Sequence, residues 1–416
     1  WGGMLRLDST GFVLRLLFLM GAAVATLLAQ DDASLAGRGE FFALLLTSTL
    51  GMSLLVSSGD WIMLFLALET TSIPLYVMAG FLIEDVRSVE SGVKYVLYGV
   101  MSSALLLFGI SFIYGITGST SLYDPIAQGR LAAAPLPLIV AILALVLAGF
   151  GFKISAVPFH FWAPDVYEGS AAPVAGFLST TSKAAGFVVL LRVMQAVFPQ
   201  ASSLWTVGLM VLSVASMFFG NLVALTQTNF KRLLAYSSIA QAGYILIGIA
   251  VGSPFGATGA IYYLIAYLVT NLAAFALATL TETADASSDI SRLAGLSRQN
   301  PFLALALLCA LLSLAGVPPF GGFVAKVLVF GSAVQAGFPW LALVGAVNAI
   351  IALYYYLNVL KVAYLYPAPS EGSRLAVGVP ARVALIACVV GILAVGIVFQ
   401  PWFNAASWAA GSLVVH

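Results

Sequence analysis

Apolar residues in this chain come in long uninterrupted blocks rather than in alternation. LLLFGISFIYGITG and ALIACVVGILAVGIVF show neither the period-two pattern of a half-buried strand nor the polar stripe of a soluble amphipathic helix. A block of about 18 or more mostly apolar residues has the length a helix needs to cross about 30 Å of hydrocarbon. The pattern predicts twelve membrane spans, at 10–29, 40–58, 61–83, 90–117, 135–165, 170–198, 204–228, 231–252, 255–281, 300–335, 339–366 and 377–400. Two of them are too long and too proline-rich for one straight helix. The span 135–165 contains Pro158 and Pro164, and 300–335 contains Pro318 and Pro319 followed by Gly321 and Gly322. Each is therefore expected to be broken.

The order of the spans suggests an internal plan. Spans 40–58 to 170–198 form one group of five and spans 204–228 to 339–366 a second, with the broken helix fourth in each. An odd number of spans per group gives the two groups opposite topology, the inverted-repeat arrangement of many transporters. The expected fold is an all-α polytopic membrane protein of about twelve transmembrane helices in two inverted five-helix repeats. Its units are 1–39 (an N-terminal helix and loop), 40–200 (first repeat), 201–367 (second repeat) and 368–416 (a C-terminal helix and tail).

Composition narrows the function classes. The chain is 62% hydrophobic and 8% charged, far from the balance of a soluble domain. A transmembrane β-barrel would need short alternating segments, which are missing. The net charge is +1 with no basic block, so no nucleic-acid partner is suggested. Cys309 and Cys388 lie in separate apolar runs, and His160 and His416 are the only histidines, too few for haem or iron–sulfur ligation in the usual ways. No metal site is expected, and redox chemistry, if any, belongs to other chains.

Sorting the loops alternately gives the two faces different basic content. One collects Arg38, Arg87, Lys231, Arg232, Arg292, Arg298, Lys361, Arg374 and Arg382, the other Arg6, Arg15, Arg130 and Arg192. The first is expected to be cytoplasmic, which places both chain ends outside.

Lys94, Lys153, Lys183 and Lys326 fall inside spans instead, where a lysine costs about 2.5–3.5 kcal/mol on insertion scales. Lys94, near its helix end, can snorkel to the interface. The others are deeper. Glu69 is the carboxylate well inside a span and needs a partner there, which a neighbouring lysine could supply. Such a pair could be a static clamp or a proton-handling device. Lys153 precedes Pro158 by five residues, and Lys326 follows Pro319 by seven. Irregular backbone at membrane depth is tolerated only where protein or a water-filled cavity satisfies it, so each lysine beside a break marks a hydrated opening. His160, two residues past Pro158, could extend a proton wire or hydrogen-bond within the break. Asp165 and Glu168 read as loop or helix-start caps, with a functional role as the alternative.

The stretches FKISAVPFHFWAPDVYEGSAAPVAGFLSTTSKAAGF, TQTNFKRLLAYSSIAQAGYILIGIA and SLAGVPPFGGFVAKVLVF closely resemble the antiporter-like, N-type membrane subunits of bacterial NADH:quinone oxidoreductase, respiratory complex I. The resemblance runs from about residue 10 to residue 400. It implies a proton-translocating subunit of fourteen helices with two inverted five-helix repeats, which binds no NADH, flavin or iron–sulfur cluster itself. Flavin and iron–sulfur clusters are then expected in partner subunits. By the same resemblance Glu69, Lys153, Lys183 and Lys326 are the proton-relay residues, and Lys94 a further basic position. Glu69 with Lys153 would load the proton, Lys183 would bridge the repeats, and Lys326 would release it. The wording PDVYEG and a lysine at 326 favour the N type. Only two spans precede Glu69 where the family has four, so the family's first two helices are expected to be missing here.

The implied partners are other membrane subunits of the complex, an antiporter-like M type and small membrane subunits, together with the lipid bilayer of the bacterial inner (plasma) membrane. Two other readings stay open: a subunit of a multisubunit cation/proton antiporter, and a structural membrane subunit whose charges merely pin helices together.

Overall fold

The computed structural model describes residues 2–285, 288–367 and 377–413, and within them the secondary structure is helical apart from isolated bridges. The first group of elements is α1 (Ser9–Asp31), α2 (Gly39–Leu55), α3 (Trp61–Ala79), α4 (Val86–Thr117), a short α5 (Pro125–Ala132), α6 (Leu136–Ile154), α7 (Trp162–Gly169), α8 (Ala172–Phe177) and α9 (Lys183–Val197). A π-helical turn, Leu178–Ser182, joins α8 to α9 into one span. Then follow α10 (Ser202–Ala224), α11 (Phe230–Ala250), α12 (Pro254–Asp285), a four-residue α13 (Leu296–Gln299), α14 (Pro301–Ala315), α15 (Gly321–Gln335), α16 (Pro339–Leu365), α17 (Val379–Ile397) and α18 (Phe399–Gly411).

Ten of these segments are long and apolar enough to cross a membrane. The shorter α2, and α14 with α15 as two halves of one interrupted span, complete the twelve expected from the sequence. The described residues add α18, which the sequence reading left as tail. Arg374 and the boundary at 368 lie outside the described residues.

Helix starts follow local chemistry. Asp8, Asp60, Asp85, Asp124, Asn229 and Asn300 each accept a hydrogen bond from a first-turn backbone N–H, which removes an otherwise unpaired donor. Both expected breaks are present. α6 ends at Ser155, which takes the left-handed conformation (φ 57°), and the chain runs irregularly to α7 through a cis Val157–Pro158 bond. In the second group α14 ends at Gly316 (φ 84°), and α15 starts after a cis Pro318–Pro319 bond.

Packing sorts the helices by depth. The span Ala172–Val197 and α12 are buried along their whole apolar length, and α11 almost so, which makes them the centre of the molecule. α4, α16 and α17 lie outside and present Leu97, Met101, Phe108, Leu343, Ile350, Val383 and Val390 outward, a surface suited to lipid or a neighbouring subunit. Small residues allow the helices to approach closely, as interfaces between membrane helices require. A Cβ on Gly220 of α10 would come within 2.6 Å of the Ala240 amide nitrogen on α11. The consequence is a tightly packed centre in which the deep lysines of α9 and its neighbours are enclosed.

Candidate functional site

Lys153 occupies the last turn of α6, just before the break, and is buried. Its Nζ donates to Ser72 Oγ at 2.9 Å, and Ser72 in turn donates to the Leu68 carbonyl at 2.7 Å. Glu69 lies one turn before Ser72 on α3. The expected direct pair between Glu69 and Lys153 is not formed: no ion pair joins them among the described residues, and Glu69 Oε1 is buried without a hydrogen-bond partner. The amine meets α3 a turn away from the carboxylate because Ser72 offers a neutral oxygen there.

Lys183 follows directly on the π-helical turn, a distortion that tends to accompany functional positions. It is buried, donates to Ser238 Oγ of α11 at 2.6 Å, and lies 5.6 Å from the centroid of the Tyr167 ring. The Tyr167 hydroxyl sits beside those of Ser238 and Ser155 without a well-formed hydrogen bond. The hydroxyls of Ser155 and Tyr267 and Asn271 Oδ1 are likewise buried and without a partner. Buried polar atoms that protein leaves unpaired are uncommon and call for an explanation, and internal water is the usual one.

Lys326 of α15 turns back towards the second break. Its Nζ donates to the carbonyls of Leu314 and Ala315 at 2.9 and 2.8 Å, and it stands 4.8 Å from the Tyr244 ring centroid. The break therefore supplies this lysine's acceptors, since carbonyls at the C-terminal end of α14 have no helical donors. Gln241 shares the Leu314 carbonyl (3.0 Å) and bonds to Tyr263 and Tyr356, and Tyr356 bonds to Ser237. A continuous polar string thus joins Lys326, through the Leu314 carbonyl, Gln241 and Tyr356, to Ser237, whose chain neighbour Ser238 holds Lys183.

The other expected site residues lie elsewhere. Lys94 belongs to a partly exposed charged cleft of about 230 Å³, where it pairs with Glu90 (2.7 Å) and Asp165 (2.6 Å). Arg232 of α11 completes the cleft by bonding to Asp165 at 2.9 Å and Glu168 at 2.7 Å. Asp165 and Glu168 thus tie the two groups of spans together rather than cap a helix. His160 is buried between Phe161 and Phe219, with ring centroids 4.5 and 4.4 Å away, and hydrogen-bonds to none of the lysines among the described residues.

Two basic residues assigned to loops prove to be buried. Arg192 bonds to Asp8 at 2.7 Å and to the Tyr123 hydroxyl at 2.6 Å. Lys231 pairs with Glu282 and donates to the Ser170 carbonyl at 2.8 Å. The cap at Asn229 was the available signal for Lys231: it starts α11 at Phe230 and so puts the lysine in the first turn, on the same face as Ser238 seven residues on.

A family model described as NADH:quinone oxidoreductase/Mrp antiporter, TM, matches residues 58–352. The chain is 42% identical over 96% of its length to NADH-quinone oxidoreductase subunit N of Moorella thermoacetica, of which it covers 84%. A chain of respiratory complex I from Thermus thermophilus superposes with a TM-score of 0.83 at 36% identity, covering 97% of this chain and 87% of that one. A chain of the Mrp complex from Dietzia reaches a TM-score of 0.87 at 24% identity over 98% and 84% of the two chains, a likeness of fold.

Proposed function

The chain belongs to the family of NADH:quinone oxidoreductase and Mrp antiporter membrane subunits, and on that premise we propose that it is the N-type, proton-translocating subunit of an NADH:quinone oxidoreductase. Its partners are then the other membrane subunits of that complex, in the bacterial inner membrane, and the flavin and iron–sulfur chemistry resides in subunits other than this one. The residue groups 40–200 and 201–367 act as two inverted units, each carrying one broken span, with 1–39 and 368–416 outside them.

One observation carries the reading. Lys153, Lys183 and Lys326 are all buried, and each is held by neutral oxygens, a hydroxyl or backbone carbonyls, with no carboxylate at ion-pair distance among the described residues. A lysine clamped in an ion pair cannot release its proton without stranding a charge, whereas one bonded to neutral acceptors can give up or take a proton while the fold stays intact. In this mechanism the proton is loaded at Lys153 under the field of Glu69. It crosses to Lys183, passes along the polar residues Ser237, Tyr356 and Gln241 that line the way to the second break, and leaves from Lys326. A change of charge at one lysine alters the next through space, which couples a distant redox event to transport. Against 100 mV each proton costs about 2.3 kcal/mol, supplied by electron flow elsewhere.

The Mrp likeness of fold favours a second reading, a cation/proton antiporter subunit. The test is simultaneous measurement of quinone reduction and proton uptake in vesicles holding the whole complex, with Lys183→Ala against the unchanged protein. An assembled complex with pumping lost supports the relay; assembly, electron transfer and pumping all unchanged would falsify it. Sodium-dependent proton movement without quinone reduction would select the antiporter.

A further inference from the structure

Lys231 is 2% exposed, yet the carboxylate it pairs with, Glu282 at the end of α12, is 30% exposed and also accepts from Ser288 Oγ at 3.1 Å. The pair therefore connects the interior to the aqueous face on which the loop before α11 lies. The lysine's second contact is the carbonyl of Ser170, the residue that ends α7.

What lies inward of this pair gives it meaning. Seven residues along α11, two turns or about 10 Å, Ser238 holds Lys183. α7 packs against α11, and Ser170, the extended residue that ends α7, follows Tyr167 by three positions. Ser170 Oγ and the Tyr167 hydroxyl are both buried and both lack a hydrogen-bond partner, and the Tyr167 hydroxyl adjoins Ser238. The pair thus stands at the exposed end of an α7–α11 contact that holds two buried, unpaired hydroxyls, with Lys183 bonded to the same helix α11 farther in.

We propose that Glu282 and Lys231 form the mouth through which protons from the aqueous phase reach Lys183, with the hydroxyls of Ser170 and Tyr167 as carriers. The proposal rests on the relay reading given above. The Glu282 carboxylate, the exposed member of the pair, takes a proton from water while the Ser170 carbonyl keeps hold of the Lys231 ammonium, so the charge left behind retains an acceptor. Internal water bridges these unpaired hydroxyls; each hydroxyl and water accepts one proton and donates another, ending unchanged, and the neutral Lys183 amine becomes an ammonium. Lys231 is the positioning residue: it fixes Glu282 and the end of α7 relative to each other.

The test uses the whole complex in vesicles with Glu282→Gln, which keeps an acceptor for Lys231 but removes the titrating group. Coupled quinone reduction is expected to fall about a hundredfold, the low end of the cost of losing a positioned proton-transfer group. Added formate, a small weak acid that can deliver protons to a blocked surface opening, should restore most of it. Formate should not restore Lys183→Ala, whose lesion lies inside. Wild-type turnover and pumping in Glu282→Gln, or a loss that formate leaves untouched, overturns the proposal. If Glu282→Gln does not assemble, Glu282→Ser, which also lacks a titrating group, carries the same formate test. Unchanged pumping in Lys183→Ala would instead sink the relay reading itself, a separate outcome.

Discussion

Lys326 folds its side chain over Gly316. A Cβ on Gly316 would stand 2.7 Å from Lys326 Cδ and 3.2 Å from its Nζ, and the glycine holds φ at +84°. Both facts exclude a side chain, so the break in the second group is shaped around the lysine. Gly316→Ala is expected to destabilise the subunit by about 1–3 kcal/mol through its left-handed backbone and to push Nζ off the Leu314 and Ala315 carbonyls. Proton uptake per quinone reduced should fall in the assembled complex. An unchanged ratio would show that the lysine tolerates displacement and is not the releasing group.

Ser238 is the side-chain hydroxyl that Lys183 Nζ bonds to, at 2.6 Å. Ser238→Ala leaves a buried amine short of an acceptor, a loss of about 1–3 kcal/mol for a charged donor. That corresponds to roughly five- to 150-fold in any step that needs the protonated amine. The expected outcome is normal assembly with slowed proton-coupled turnover, and Ser238→Thr, which keeps the hydroxyl, should recover most of it. Equal defects in Ala and Thr variants would mean that packing, and not the hydrogen bond, is at stake.

The spans and both breaks were legible in the sequence because each rests on a local rule: apolar length for the spans, and Pro158 or Pro319 with a nearby lysine for the breaks. The deep lysines were legible too, since a charge inside an apolar block has few innocent explanations. Which oxygen each lysine finds was not. Ser72 in place of Glu69 as the partner of Lys153, and the Gln241–Tyr356 string, depend on how helices rotate about their axes, which a span pattern leaves undetermined. Loop assignment also misplaced Arg192 and Lys231, because a basic residue near a helix end looks the same in sequence whether it faces water or a buried carboxylate.

Arg192 and Asp8 form a buried ion pair that ties α9 to the start of α1, and Asp8 also caps α1 through the Gly11 amide at 2.8 Å. Removing Arg192 leaves Asp8 with only the looser Arg6 contact at 3.8 Å and the Gly11 amide, so the cost stays below the ~3–5 kcal/mol of a fully stranded buried charge. Arg192→Leu should therefore lower the thermal unfolding temperature of the purified complex and its yield, while any complex that assembles keeps its ratio of protons to quinone. Replacing both members by leucine should recover part of the loss, as buried pairs exchanged for apolar residues often do. A changed pumping ratio in an otherwise stable variant would move this pair from scaffold to relay.

Lys153 bonds to Ser72, one turn of α3 from Glu69, and that sets the final prediction. If the carboxylate tunes the lysine through space, Glu69→Gln should reduce proton-coupled turnover while leaving assembly intact, because Glu69 Oε1 has no hydrogen bond to lose. Its effect should also disappear once the lysine is gone: Lys153→Ala with Glu69→Gln should be no slower than Lys153→Ala alone. Independent sites further apart add to within about 0.5 kcal/mol, so a double variant slower by the full product of the two single effects would show that Glu69 works on some other group. Ser72→Ala provides the contrast. It removes the contact at 2.9 Å, frees the amine to swing one turn along α3, and should make turnover more dependent on Glu69, measured as a larger loss when Glu69→Gln is added to it.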